Sequence, residues 1–96
     1  MQPQPYIPKT TAEVEAAGIY PAAGRGLSFF LSGTLAAGEE IAIEYQDADG
    51  EWQTLVEDGL DVVLSVDNKV ASTDKPGVYR ANKPLTVAAA GVTVCR

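Results

Sequence analysis

The chain contains no histidine and only one cysteine, Cys95. Without histidine, Ser-His-Asp and Cys-His catalytic arrangements and His-ligated zinc sites are excluded. A single cysteine cannot form an internal disulfide or a cysteine-rich metal site. The sequence also lacks a Walker-type phosphate loop and any apolar run near the roughly 20 residues of a membrane span. We therefore expect a protein that is not an enzyme, holds no cofactor or metal and has no catalytic residues.

Lysine and arginine are missing from residues 39–67, although ten of the thirteen carboxylates lie there. The net charge is −6, and residues 68–96 are basic. This distribution argues against nucleic-acid binding and predicts a surface with separate acidic and basic regions. We expect the cations of the basic segment to pair with the acidic one, within the chain or across an interface: Lys69, Lys75, Arg80 and Lys83.

Prolines at positions 3, 5 and 8 rule out a helix at the start of the chain. They predict an extended N-terminal arm over residues 1–10, followed by one domain over residues 11–96. A frayed terminus is the alternative reading. As an arm, the segment would lay Tyr6 and Ile7 on a neighbouring subunit, so the predicted partner interface is Pro5, Tyr6, Ile7, Pro8 and Phe30. The first residues have neither the basic nor the apolar region of a signal peptide, and we expect no membrane association.

A two-residue period predicts β-strands from Leu27 onward. Leu27, Phe29 and Leu31 alternate with Ser28, Phe30 and Ser32, so Phe30 lies in the opposite phase and is expected to be exposed. In the next strand, Ile41 and Ile43 are expected to point inward and Glu40 and Glu44 to solvent.

The rest of the chain continues this pattern of short strands and turns. Asp49-Gly50, Asp58-Gly59 and Pro76-Gly77 predict turns. Residues 60–66 read as one strand with Leu60, Val62, Leu64 and Val66 on a shared face, and residues 69–72 read as a short edge strand. Residues 10–17 fit a capped helix or a strand, and the strand suits the rest of the chain better. Together these signals predict an all-β fold, a single small antiparallel β-sandwich or barrel of seven to eight strands.

Two groups of residues suggest ligand sites. Asp47, Asp49, Glu51 and Asp58 resemble calcium ligands, but Trp52 stands where an EF-hand needs glycine, and a solvated hairpin turn also accounts for the pattern. Trp52 with Tyr45 or Tyr79 could form a platform for a carbohydrate, while packing in a core or interface is the commoner role of such rings.

Several segments resemble small β-sandwich structural proteins of tailed bacteriophages. They are Gly26-Leu-Ser-Phe-Phe-Leu-Ser-Gly33-Thr34-Leu35, Gly38-Glu-Glu-Ile-Ala-Ile-Glu-Tyr-Gln46, Asp49-Gly50-Glu51-Trp52 and Pro76-Gly77-Val78-Tyr79-Arg80. The resemblance covers roughly residues 14–95 and leaves the N-terminal arm outside.

This resemblance implies a virion component made in the bacterial cytoplasm, such as a capsid decoration protein, a head-fibre base or a tail accessory. The implied partners are the major capsid protein or another virion protein and further copies of the chain, for example in a trimer. A carbohydrate- or host-surface-binding module remains the alternative. A secreted adhesin-type domain is disfavoured by the lack of a visible signal peptide, unless the sequence is an excised fragment.

Overall fold

The computed structural model describes residues 4–15, 18 and 26–95. These ranges form antiparallel β-sheets and contain no helix, which confirms the prediction of an all-β protein. The strands are shorter and more numerous than the predicted seven to eight. In chain order they are β1 (Gln4–Thr10), β2 (Val14–Glu15), β3 (Leu27–Gly33), β4 (Glu40–Gln46), β5 (Trp52–Thr54), β6 (Val56–Glu57), β7 (Leu60–Asp61), β8 (Val63–Ser65), β9 (Val70–Thr73), β10 (Tyr79–Lys83) and β11 (Ala90–Cys95).

Two sheets contain most of these strands. One has four strands in the order β1-β11-β3-β9. In the other, β10 lies between β2 and β4, and the far side of β4 pairs with β8 near its start and with β5 near its end. A separate two-stranded hairpin consists of β6 and β7. All pairings between the described strands are antiparallel.

Side chains from both sheets share one hydrophobic core. The two-residue period of β4 buries Ile41 and Ile43 and leaves Glu40 exposed, as predicted. Glu44 was also expected to face solvent, but its side chain is only 14% exposed. The buried cluster draws on strands of both sheets and the loops between them: Ile7, Leu27, Phe29, Leu35, Ile41, Ile43, Leu55, Leu64, Ala71, Tyr79, Ala81, Ala90, Val92 and Val94. One continuous core therefore stabilises the two sheets together.

Residues 60–66 were predicted to form one strand, but the structure divides them between β7 (Leu60–Asp61) and β8 (Val63–Ser65). Residues 56–61 form the β6–β7 hairpin, whose turn residues Asp58 and Gly59 both have positive φ, at 54° and 80°. Leu60 is 72% exposed, whereas Leu64 on β8 is fully buried. The alternation of apolar residues continues across the break, but only the part that pairs with β4 faces the core.

Residues 4–10 of the proline-rich segment form strand β1 at one edge of the four-stranded sheet. It pairs with β11 in a register that shifts twice, between Pro5 and Ile7 and between Ile7 and Thr10. Ile7 lies opposite Val92 and is buried in the core of its own chain. The described part of the predicted arm thus belongs to the sheet that it flanks.

Gly91 makes the close approach of β1 possible. A Cβ built at Gly91 would lie 2.8 Å from the carbonyl carbon of Pro8 and 2.9 Å from the amide nitrogen of Lys9, and closer still to the carbonyl oxygen of Ile7. All three are backbone atoms of β1, so only glycine fits beneath the bulged strand.

Two further predictions for short strands find counterparts. Within residues 10–17, Val14 and Glu15 form β2 and pair with β10, while residues 16 and 17 lie outside the described ranges. The predicted edge strand over residues 69–72 corresponds to β9 (Val70–Thr73), the last strand of the four-stranded sheet.

Candidate functional site

The outer surface of the four-stranded sheet carries no charge on three of its strands. On β3, β9 and β11, alternate residues such as Phe29, Ala71 and Val92 point into the core. The residues between them face away from it. Among the described side chains of these strands, the outward set is Ser28, Phe30, Ser32, Val70, Ser72, Thr93 and Cys95. We call this surface the neutral face, and it is unusual in a chain with 20 charged residues among 96.

Phe30 stands in the middle of the neutral face. It lies directly opposite Thr93 on β11 and Val70 on β9. Phe30 is half-buried by these neighbours, and Val70 keeps 45% of its surface exposed. The prediction that Phe30 lies in the outward phase is therefore correct, although its neighbours cover part of the ring.

The hydroxyl groups on the neutral face bond to one another. The Oγ atoms of Ser28 and Ser72 are 2.9 Å apart, and Ser32 Oγ lies 2.8 Å from Thr93 Oγ1. When a second surface displaces water, a hydroxyl that already has a protein partner keeps that hydrogen bond, so its desolvation costs less free energy. The neutral face can therefore be covered at lower cost than a surface of solvated polar groups.

The four predicted contact residues of the arm have different environments. Ile7 is buried in the core, and Pro8 is exposed. The ring of Tyr6 packs 6.1 Å from that of Phe29, centroid to centroid, and burial raises the pKa of its hydroxyl. The backbone of Pro5 lies opposite Thr93, and its side chain is outside the described part of the chain. Of the predicted interface residues with described side chains, Pro8 is exposed, Tyr6 and Phe30 are half-buried, and Ile7 is buried.

The three rings suggested for carbohydrate binding do not form one platform. Tyr45 and Tyr79 are cross-strand neighbours that pack on the core side of the five-stranded sheet, and Tyr79 is buried. Trp52 is half-buried, and the guanidinium of Arg80 lies 4.3 Å from its ring centroid. Arg80 also donates from Nε to Glu44 Oε1 at 2.7 Å. Since Arg80 and Glu44 alternate with the tyrosines along their strands, Trp52 sits on the opposite side of the sheet from both tyrosines.

The Arg80–Glu44 bridge bears out one part of the charge prediction. It joins a cation of the basic segment to a carboxylate of the acidic segment within the same chain. The two side chains are only 15% and 14% exposed, so solvent screens them less than an ordinary surface pair.

Lys83 was expected to pair with the acidic segment, but its side chain is fully buried and its hydrogen-bond acceptors are neutral oxygens. Its Nζ donates to the carbonyl oxygens of Ala12 at 2.6 Å and Pro84 at 3.1 Å and to Thr86 Oγ1 at 3.2 Å. Burial lowers the pKa of Lys83, and the negative charge of Glu39 acts in the opposite direction. No sequence signal marks this lysine, since burial depends on which loops close over it.

The contacts of Lys83 fix a loop that exposes two apolar side chains. In residues 84–89, which we call the apolar loop, Leu85 is 72% and Val87 84% exposed. The backbone N–H of Val87 donates to Glu39 Oε2 at 2.9 Å, and that of Thr86 to the carbonyl oxygen of Thr11 at 3.1 Å. The loop is therefore held in one shape while its apolar side chains face solvent.

A shallow concavity of about 350 Å³ lies on the outer side of the five-stranded sheet, over its central strands β4 and β10. Its lining includes three carboxylates, and the full set is Glu13, Glu40, Ala42, Thr54, Asp61, Val63, Asn82 and Pro84. Within residues 4–15, 18 and 26–95, no three His, Cys, Asp or Glu side chains are grouped so that they could hold a metal ion. The concavity offers carboxylate, amide and hydroxyl groups that can form hydrogen bonds.

Asp47 closes the hairpin turn that resembled a calcium loop. Its Oδ1 accepts from the backbone N–H groups of Glu51 and Asp49, both at 2.9 Å, and its Oδ2 from the side-chain amide of Gln53 at 3.2 Å. The bond from Glu51 is the main reason that the pKa of Asp47 lies below its ordinary value. Gly50 has the predicted positive φ, at 83°. The carboxylate thus acts as a turn cap.

Comparisons with known proteins add no identification to this geometry. No protein-family model matches the chain, and no curated protein or solved structure matches it. The described residues contain no helix with the length and apolar character needed to cross a membrane.

Proposed function

We propose that this chain is a non-enzymatic virion structural protein of a tailed bacteriophage, and specifically a capsid decoration protein. The segments that resemble phage β-sandwich proteins support this assignment, and so do two sheets that share one core. In this proposal the two sheets are the layers of a small β-sandwich. The protein is made in the bacterial cytoplasm and acts in the virion, where its partner is the major capsid protein or another virion protein.

The neutral face is the observation that carries the proposal. A decoration protein works by covering a seam between capsid subunits. It needs a rigid surface whose desolvation on binding costs little free energy. The neutral face meets this need, because it has Phe30 at its centre, no charge on three strands and hydroxyls that bond to each other. Depletion of charge at the centre of a contact is typical of interface cores.

The apolar loop supplies a second region of contact. Leu85 and Val87 are large apolar side chains that are mostly exposed. Lys83 donates to the carbonyl oxygen of Pro84, and Glu39 accepts from the N–H of Val87, so the backbone that carries them is fixed. A loop that is already ordered loses less conformational entropy on binding than a flexible one. We therefore assign capsid contact to the neutral face and the apolar loop rather than to Tyr6 and Ile7.

Cosedimentation with purified capsids tests this function. Phe30→Ser removes the central ring of the neutral face. As a control, Val56→Ser removes an apolar side chain from a different strand, on the β6–β7 hairpin, where Val56 is 50% exposed. We expect wild type and Val56→Ser to sediment with capsids and Phe30→Ser to bind at least about tenfold more weakly, as for loss of a central interface residue.

Circular dichroism and thermal melting show whether each variant is folded, so that loss of binding is not mistaken for loss of structure. If folded Phe30→Ser sediments as well as wild type, the neutral face is not the contact. A wild-type protein that ignores capsids but binds glycans on an array would favour the carbohydrate-binding alternative.

A further inference from the structure

Strand β9 is a four-residue edge strand that lacks the prolines and register shifts of the opposite edge of its sheet. At the opposite edge of the four-stranded sheet, β1 contains Pro5 and Pro8 and two register shifts. These features block or distort the addition of another strand. Strand β9, with the sequence Val-Ala-Ser-Thr, has no proline, no charged residue and no register shift against β3.

The hydrogen-bonding pattern shows which groups of β9 face outward. The backbone N–H of Leu31 on β3 donates to the carbonyl oxygen of Lys69 at 2.9 Å. In an antiparallel pair the bonded positions alternate, so Ala71 and Thr73 also direct their N–H and C=O groups toward β3. Val70 and Ser72 direct theirs away from β3, and both residues are exposed. No described strand pairs with that side of β9.

We propose that β9 pairs with β9 of a second copy of this chain, antiparallel about a two-fold axis. The pairing joins two four-stranded sheets edge to edge. Because a two-fold contact uses the same surface twice, the short segment Val70–Thr73 supplies both sides of the junction. This inference goes beyond the proposed function and does not depend on capsid binding.

Strand overlap and charge select the register of the pair. Outward-directed groups can bond only if both opposing residues belong to the outward set, which allows Val70 opposite Val70, Val70 opposite Ser72 or Ser72 opposite Ser72. With Val70 opposite Val70, Ser72 would face Asn68, and only one residue of each β9 would be paired. Two arrangements remain, Val70 opposite Ser72 and Ser72 opposite Ser72. The second arrangement would set Lys69 opposite Lys75, and like charges directly opposite each other are destabilising. The first arrangement centres the axis on Ala71 and puts Lys69 opposite Thr73. We therefore infer that Val70 of each copy pairs with Ser72 of the other.

The pairing would also enlarge the neutral face. A two-fold axis perpendicular to the joined sheets keeps the outer surfaces of both copies on the same side. Val70 and Ser72 belong to the neutral face, so the two neutral faces would meet at the junction and form one uncharged surface with two Phe30 rings. The expected assembly is a dimer, not the trimer considered from the sequence.

Sedimentation velocity of the full chain, without capsids, tests the pairing. Val70→Lys places two cations beside the axis, and Val56→Lys is a matched control because Val56 is similarly exposed, at 50% against 45%, on a different edge. Ser72→Pro removes an outward N–H while leaving the bonds to β3 in place. We expect dimers for wild type and Val56→Lys and a halved mass for Val70→Lys and Ser72→Pro.

Amide hydrogen exchange supplies a second measurement that does not depend on a variant. With rising protein concentration, exchange at the amides of Val70 and Ser72 should slow, while exchange at Ala71, already bonded to β3, should change less. A wild-type monomer or trimer at high micromolar concentration would overturn the pairing. So would a dimer that persists in folded Val70→Lys, even if Ser72→Pro does not fold.

Discussion

Substitution of Gly91 by alanine tests the placement of β1 over β11. The added Cβ would meet the backbone of Ile7, Pro8 and Lys9, at 2.8 Å from the carbonyl carbon of Pro8. Because no side-chain rotation can move these backbone atoms, the substitution must push β1 away from β11. The variant therefore reports on whether residues 4–10 are part of the sheet or lie apart from the domain.

The expected loss of stability follows from two routes. If β1 stays in place under strain, overpacking costs about 1–3 kcal/mol. If β1 detaches, Ile7 leaves the core, and loss of a fully buried isoleucine costs about 1.5–3 kcal/mol. Both routes lower the free energy of unfolding by about 2 kcal/mol. For a domain of this size, each kcal/mol lowers Tm by about 4–8 °C, so Tm should fall by roughly 8–16 °C.

Thermal melting and urea denaturation measure this loss against a matched control. Gly26→Ala makes the same chemical change, but its Cβ would meet only the carbonyl oxygen of Thr73, at an ordinary 3.7 Å. We expect Gly26→Ala to stay close to wild type. If Gly91→Ala has the same Tm as the control, the packing of β1 over Gly91 is refuted. Deletion of residues 2–9 should lower stability for the same reason, and an unchanged Tm would support an independent arm.

Two further variants test the buried lysine and the turn cap. Lys83→Met leaves the carbonyl oxygens of Ala12 and Pro84 without their donor, which should lower the free energy of unfolding by about 1–3 kcal/mol. Since the folded-state pKa of Lys83 lies below its ordinary 10.5, the unfolded state binds more protons between the two values. Urea midpoints should therefore rise with pH in that window for wild type relative to Lys83→Met, and a relative fall would contradict the burial of this lysine. The lowered pKa of Asp47 stabilises the fold above the ordinary value of 3.8, and this contribution is lost as the pH falls below it. Wild type should thus lose stability in acid more steeply than Asp47→Asn, and parallel acid denaturation curves would refute the role of the carboxylate.

Local patterns in the sequence were enough to predict the faces of the central strands. The period of two in β3 and β4 separates Phe29 from Phe30 and Ile41 from Glu40, and the structure has the same separation. Turn chemistry was equally informative, because the positive φ of Gly50 follows from the Asp-Gly dipeptide. These features depend on a few neighbouring residues, so they can be read without knowing the partner of any strand.

Features that depend on distant partners could not be predicted in this way. Three prolines indicate an extended segment, but not that its edge position lets it pair with β11 and bury Ile7. Leu60 continues the alternation that leads to Leu64, yet the chain turns outward before that strand begins. Lys83 looks like a surface residue until the loops that supply its acceptors come together.

The neutral face was predicted only in part. The phase of Phe30 follows from its own strand, and it was the correct signal for an outward ring. The absence of charge around it depends on the pairing of β3 with β9 and β11, which brings Val70 and Thr93 beside the ring. Alternation gives the direction of each side chain but leaves the neighbours across the sheet undetermined.

The pairing of β1 with β11 has a consequence for how the protein folds. Ile7 meets Val92 across nearly the whole length of the chain, so this sheet closes through contacts between residues far apart in sequence. Closing so large a loop makes folding slow compared with proteins built from local contacts. During synthesis, β1 must wait for β11 to leave the ribosome, and Ile7 stays in water until then. Chaperones that hold exposed apolar segments would therefore find a target in β1 before it pairs with β11.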